Sequence, residues 1–282
     1  MPELPEVQTV VNDLQKIVDN KIINFWSDFE KAIKAPTDKK KFAKNILGQK
    51  ITRVFRGGKN IILTLQNKSA IIVHLKMTGQ LLLKISNPKS QMSKEKNKYD
   101  NYIHHIFYLD NKATLNFSDI RKFGTLELVD EKTLSKKLEE KGLDPFSEQY
   151  TFANFQNLLE RGKNKNLKQF LMDQSYVAGI GNIYASEIPF DIKTSPLRKI
   201  NSLNSVEAKK LFGSIKKILS QAIELRGTSF SDYRDSSGKK GSFQNFLKVY
   251  KRDGQKCKRC DTIIEKSVIG QRSTFHCPKC QN

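Results

Sequence analysis

Three residues at the start of the chain, Pro2, Glu3 and Glu6, have the types and spacing for covalent chemistry. A small second residue generally allows Met1 to be removed, which would leave Pro2 as a secondary amine with a pKa of about 8. Such an amine is a nucleophile available near neutral pH, and a carboxyl beside it can serve as acid or base. The same residues also suit a helix start, because proline pre-sets φ for the first turn and acidic side chains favour the positive end of the helix dipole. On these six residues alone both readings stand.

A second concentration of chemistry lies at the other end. All four cysteines fall in the last 26 residues, as Cys257-x2-Cys260 and Cys277-x2-Cys280. Two CxxC pairs sixteen residues apart have the spacing of a zinc ribbon. Four thiolates close the coordination shell, so one structural Zn2+ is expected, with no open position for a catalytic water. Between the pairs, Arg272 is placed either to reach a phosphate or to be an ordinary exposed arginine. In Ala178-Gly-Ile-Gly181-Asn182 a compact turn could aim N–H groups and the Asn182 amide at a phosphate, or be plain loop geometry. Lys59, after two glycines, projects into a cleft or is a solvated cation. Met77, Arg121 and Phe123 each stand near a glycine at a strand end. Exposed, they could wedge into a base stack; buried, Met77 and Phe123 would be core.

The elements that must position these groups change character along the chain. Apolar residues at Val7, Val10, Val11, Leu14, Ile17 and Val18 mark a helix from Glu6 to about Val18. Short β-type runs follow at 51–55, 61–65, 70–75, 80–85, 104–109, 113–117 and 125–129, with hairpin turns at 66–69 and 110–112, and they predict an antiparallel sandwich or flattened barrel. The polar stretch 86–101 reads as a mobile surface loop, and the charged stretch 131–150 as an inter-domain linker. Helical periodicity then covers 152–161, 167–173, a segment starting near Asn182, and 205–225, with Gly227 as the stop. Residues 227–241 form a polar Gly/Ser-rich loop. The last 37 residues, from about Phe246, cannot bury a core of their own and call for a metal.

Composition sets the partner. Fifty Lys and Arg against 29 Asp and Glu give a net charge of +21 over 282 residues, which points to a polyanion, with nucleic acid ahead of an anionic membrane because the charge is spread along the chain. No run of eighteen apolar residues and no signal-peptide pattern is present, so a cytoplasmic location is expected.

Taken together, Pro-Glu-Leu-Pro-Glu-Val at the start, His74-Leu-Lys-Met77-Thr-Gly79, Asp119-Ile-Arg-Lys-Phe123-Gly124, Gly179-Ile-Gly-Asn-Ile-Tyr-Ala-Ser-Glu187 and the terminal four-cysteine finger resemble the bacterial formamidopyrimidine-DNA glycosylases along nearly the whole chain. The resemblance implies an α+β chain: a β-sandwich with a leading helix (1–130), a linker (131–150), a helix-two-turn-helix domain with a lesion-capping loop (151–245) and a β-ribbon zinc finger (246–282), with damaged duplex DNA held between the first two domains. It implies that Pro2 attacks C1′, that Glu3 assists opening of the sugar ring, and that Glu6 supports them. Lys59, Asn182 and Arg272, and likewise His74 and Lys168, would grip phosphates. Met77, Arg121 and Phe123 would fill the gap left by the everted base.

The expected activity is that of a bifunctional glycosylase and AP lyase acting on oxidised purines, as a monomer without a nucleotide cofactor, in the bacterial cytoplasm at the nucleoid. The related endonuclease VIII enzymes share the scaffold but favour oxidised pyrimidines, and Leu4 with the Arg121/Phe123 pair favours the purine branch. Lys76, Ile120 and Lys122 depart from the residues common in the family at those places. A non-enzymatic DNA-binding protein is the other class that charge and zinc would satisfy.

Overall fold

The computed structural model describes residues 1–85 and 98–281. The chain forms two units: residues 1–138 together with 225–242, and residues 139–224 together with 243–282.

In the first unit, helix α1 (Leu4–Asp13) starts at a Glu3–Glu6 capping box and carries proline in its first turn. A capped start is worth about 1 kcal/mol. The α-helix tightens into a 3-10 turn over Leu14–Ile17, so the helical period read as far as Val18 is α-helical only to Asp13. Strands β1 (Ile22–Ser27) and β2 (Ile33–Ala35) and helix α2 (Lys39–Ile46) follow. None of these three stands out in the sequence, and α2 shows why: its lysine-rich stretch buries only Phe42 and Ile46, one turn apart.

Seven strands then match the seven β-type runs to within two residues: β3 (Ile51–Gly57), β4 (Asn60–Leu65), β5 (Ser69–His74), β6 (Gly79–Lys84), β7 (Ile103–Leu109), β8 (Thr114–Asp119) and β9 (Thr125–Asp130). They form a five-stranded sheet in the order β2-β9-β5-β4-β3 and a four-stranded sheet in the order β1-β7-β8-β6. Both hairpin turns read from sequence join antiparallel neighbours, β4 with β5 and β7 with β8. Between the sheets lies the main core, with Val7, Val10, Val11 and Leu14 of α1 packed against Ile61, Leu63, Ile71, Val73, Phe107 and Phe117.

Of the polar stretch 86–101, residues 86–97 lie outside the described residues, and Lys98–Tyr102 is a 3-10 turn. The stretch read as a linker begins with a regular helix, α3 (Glu131–Glu139). Its Leu134 and Leu138 cover Ile62, Ala70, Ile72 and Val129 on the outer face of the larger sheet. Strand β5 is therefore apolar at both phases of its alternation, which a one-sided sheet would not require.

The second unit contains α4 (Phe152–Arg161), α5 (Leu167–Met172), α6 (Tyr184–Asp191) and α7 (Ser205–Glu224). Side-chain oxygens of Thr151 and Asn166 accept from backbone N–H groups of the first turns of α4 and α5. An antiparallel ribbon, β10 (Glu265–Ile269) with β11 (Arg272–His276), closes the chain. Its core of Val249, Cys257, Ile264, Phe275 and Cys277 includes Phe190 of α6, over whose ring the Arg259 guanidinium sits at 4.1 Å. Segment 225–242, placed by sequence within the 151–245 domain as part of its lesion-capping loop, packs with the first unit, where Tyr233 joins the sandwich core.

Candidate active site and nucleic-acid contacts

The N-terminal carboxylates are held from two directions. Glu3 and Glu6 are 3% and 1% exposed, so neither is a solvated side chain and each must be partnered. Glu6 Oε2 accepts from the Glu3 N–H at 2.7 Å, and its other oxygen, Oε1, accepts from the Thr228 N–H at 2.7 Å. The Tyr233 hydroxyl donates to the Glu6 carbonyl at 3.2 Å. Burial, with the Glu6 charge nearby, raises the Tyr233 hydroxyl well above its ordinary pKa, so it remains a donor. Gly227 has φ +81°, and a Cβ there would lie 2.8 Å from Glu6 Oε1. Glu6 thus joins the turn that presents buried Pro2 and Glu3 to the loop after α7.

Lys59 is half-buried at the β3–β4 turn. Arg56 braces that turn: its Nε donates to Gln8 Oε1 of α1 at 2.9 Å and its Nη1 to the Gly58 carbonyl at 3.2 Å. A β-hairpin tip is thereby fixed against helix α1. Sequence reading missed Arg56 because its partner on α1, Gln8, lies 48 positions away and meets it only once α1 lies on β3.

Met77, Arg121 and Phe123 come together on the surface. Arg121 Nη1 approaches Met77 Sδ at 3.2 Å, and its guanidinium lies over the Phe123 ring at 4.7 Å. Met77 and Phe123 are 47% and 53% exposed, which decides against the core reading. Buried Asp119 shapes the loop that carries them. One of its carboxylate oxygens accepts from the Thr78 hydroxyl and from the Arg121 N–H at 3.3 Å, and the other from the Gly124 N–H at 2.6 Å. The aspartate that opens the Asp-x-Arg-x-Phe-Gly pattern therefore binds the backbone, leaving the arginine and phenylalanine side chains to project. His74 Nδ1 accepts from the Lys76 N–H at 2.9 Å, which assigns the ring proton of the neutral imidazole to Nε2. Lys76 and Lys122 have φ of +52° and +58°, so both of these lysines occupy left-handed positions.

In the second unit, Lys168 does not present its ammonium to solvent. It is fully buried, with Nζ 3.0 Å from Ser186 Oγ and 3.0 Å from the Ser273 carbonyl. Ser186 donates in turn to the Asn182 carbonyl at 3.0 Å. Through Ser186, Lys168 thus ties the Asn182 backbone, at the end of that turn, to the strand residue next to exposed Arg272. Gln174, which carries no periodic signal, organises the rest of the turn. Its amide donates to the Met172 and Ile180 carbonyls and its Oε1 accepts from the Gly179 N–H, all at 2.8–2.9 Å. Asn182 Oδ1 is buried without a hydrogen-bond partner among the described residues.

The four cysteine sulfurs lie within 4.8 Å of one another, and none is in a disulfide. Cys257–Cys280 and Cys260–Cys277 are separated by 3.9 and 3.5 Å. A tetrahedron with Zn–S bonds of 2.3 Å has edges of about 3.8 Å, so the donor set fits one structural zinc held by Cys257, Cys260, Cys277 and Cys280. Glu187, the last residue of the Gly179–Glu187 motif and given no role from sequence, anchors the approach to this ribbon: its buried carboxylate accepts from the N–H groups of Lys248, Val249 and Tyr250. Burial raises its pKa, against the three donors that lower it.

Residues 1–126 match the family model of the formamidopyrimidine-DNA glycosylase N-terminal domain, residues 141–234 that of its H2TH domain, and residues 254–282 the zinc finger found in FPG and IleRS. These three modules define the class of H2TH DNA glycosylases that carry a zinc finger. Within it, the chain belongs to the formamidopyrimidine-DNA glycosylase family. It is 39% identical over 282 residues to the formamidopyrimidine-DNA glycosylase of Herpetosiphon aurantiacus, with both chains fully covered, and 39% identical over 283 residues to that of Carboxydothermus hydrogenoformans, again at full coverage of both. Among solved structures it is similar to a Lactococcus lactis FPG mutant in complex with Fapy-dG-containing DNA (TM-score 0.86, 32% identity, 99% of each chain). A structure of MutM in complex with carbocyclic 8-oxo-G-containing DNA is similarly close (TM-score 0.85, 31% identity, 99% of each chain). Among the described residues, no helix is long and apolar enough to cross a membrane.

Proposed function

We propose that this protein is a base-excision DNA glycosylase with AP-lyase activity that removes oxidised purines, 8-oxoguanine and formamidopyrimidines, from duplex DNA. The observation that supports this reading is the Glu6-centred bracing of the turn that carries buried Pro2 and Glu3. Once Met1 is removed, the Pro2 nitrogen attacks C1′ of the damaged nucleotide. The N-glycosidic bond breaks and the base leaves with its electron pair and a proton. Glu3, as the acid, protonates O4′ as the sugar ring opens, giving an iminium between Pro2 and C1′. The iminium acidifies the C2′ protons, so loss of one expels the 3′ phosphate and a second elimination expels the 5′ phosphate.

Lys59, His74, Asn182 and Arg272 are assigned to phosphates, and Met77, Arg121 and Phe123 to the space vacated by the base, with Arg121 toward the orphaned cytosine. Zinc supplies rigidity to the ribbon and takes no part in bond-making. The protein works as a monomer on bacterial chromosomal DNA in the cytoplasm, using no nucleotide cofactor.

One neighbouring structure is a complex of wild-type Lactococcus lactis Fpg with DNA containing an oxidised pyrimidine, so pyrimidine lesions form the second reading. Borohydride trapping on an 8-oxoguanine duplex and on a pyrimidine-lesion duplex separates the two. A covalent adduct with the purine lesion that is lost in Pro2→Gly is expected; an adduct with the pyrimidine alone favours the second reading, and none with either rejects the lyase.

A further inference from the structure

The loop that follows α7 is secured at its root by a charged cluster that the proposed chemistry does not use. Arg226 Nη2 lies 2.6 Å from Asp13 Oδ2 at the end of α1, and its Nε donates to Asp235 Oδ2 at 2.8 Å. Asp235 is 1% exposed and also accepts, through Oδ1, from the N–H groups of Ser237 and Lys239. Asp13 Oδ2 accepts further from the Ser236 hydroxyl at 3.0 Å. One guanidinium therefore bridges the helix, the first residue of the loop and its far limb. Arg226 does this from a left-handed backbone conformation, φ +59°, which a non-glycine residue adopts at a cost.

Between the clamped ends the loop divides into fixed and projecting parts. Thr228, Ser229 and Tyr233 to Ser236 are buried, while Phe230 and Ser231 are exposed. The Leu83 N–H donates to the Ser236 carbonyl at 2.8 Å and Gln80 to the Asp232 carbonyl, so the far limb is also fastened to strand β6. Between these fastenings, Phe230 and Ser231 form the exposed tip.

We propose that Asp13, Arg226 and Asp235 are positioning residues for base excision: their clamp sets where the Phe230–Ser231 tip stands, and so how an everted base is held while Pro2 displaces it. The inference rests on the proposed glycosylase reading. It separates two steps of that reaction, because an abasic substrate carries no base for the tip to hold.

Arg226→Gly provides the test: glycine accepts the left-handed conformation, so the fold should be retained, with Tm lowered by the loss of the partner of buried Asp235. Single-turnover base release from an 8-oxoguanine duplex is expected to slow about tenfold, while cleavage of a preformed abasic duplex stays within about twofold. Arg226→Lys, which can engage one carboxylate, should recover part of the loss. Base release at the parent rate in Arg226→Gly, or equal loss in both steps, overturns the assignment. Parent protein that releases no base from either lesion class refutes the glycosylase reading itself.

Discussion

The Glu6 carboxylate and the Thr228 N–H meet at 2.7 Å across 222 residues of sequence. Gly227 makes this approach possible, with a left-handed φ of +81° and its Cα against the Glu6 side chain. Gly227→Ala should cost about 1–2 kcal/mol for the backbone conformation, and more for the methyl group forced to 2.8 Å from Glu6 Oε1. Thermal unfolding should show a lower Tm, and base release should slow as Glu6 loses its hold on the turn. A variant with parental Tm and rate would show that this contact has no functional weight.

The surface cluster separates function from stability. Because Met77 and Phe123 are about half exposed, Phe123→Ala and Arg121→Ala should change unfolding free energy by no more than about 0.5 kcal/mol. Excision should nevertheless fall at least about tenfold, since an everted base leaves a gap that must be filled. Arg121→Ala should also weaken the preference for cytosine opposite the lesion. Parental rates and opposite-base preference in both variants would place the wedge elsewhere.

Metal removal tests the ribbon. Its apolar core is Phe190, Val249, Ile264 and Phe275 with two of the cysteines, too small to fold without the ion. A strong chelator should release one zinc per chain, expose the ribbon amides to hydrogen exchange and reduce duplex affinity. With zinc present, Arg272→Ala should lower affinity and flatten the dependence of log K on log salt by about 1. Unchanged ribbon protection after zinc loss would contradict the structural role of the metal.

His105 sets an acid limit on the sandwich. It stacks between Phe25 and Phe117, and burial, assisted by neighbouring His104 and opposed by Asp28, lowers its pKa to about 4. Because the folded value lies below the unfolded 6.5, the neutral ring contributes its full stability above pH 6.5 and loses it as pH falls through about 4. The loss amounts to about 3 kcal/mol. Urea unfolding between pH 7 and 4 should show this slope, and His105→Phe should flatten it. An equal slope in the variant would assign the acid sensitivity to other groups.

The sandwich strands, the four main helices of the second unit and the zinc ribbon were legible in the sequence because alternation, helical period and cysteine spacing are local properties. Helix α2 escaped because two buried side chains in eight residues make a weak period, and α3 because its two leucines gain meaning only beside the outer face of a sheet. Resemblance placed Met77, Arg121 and Phe123 at one gap, but the contacts among them came only from the fold, since Met77 and Arg121 are 44 positions apart.

Sequence by itself determined which residue types are available: a proline at position 2 beside carboxylates, two CxxC pairs and a large positive charge. Tertiary structure decided how several of them are used. Lys168 is spent inside the second unit on Ser186 and Ser273, and Arg226 on Asp13 and Asp235. Segment 225–242 belongs to the first unit although it follows the helices of the second. The reason is physical: buried charges and backbone donors must find partners wherever folding brings them, and those partners lie at sequence separations over which periodicity and spacing carry no signal.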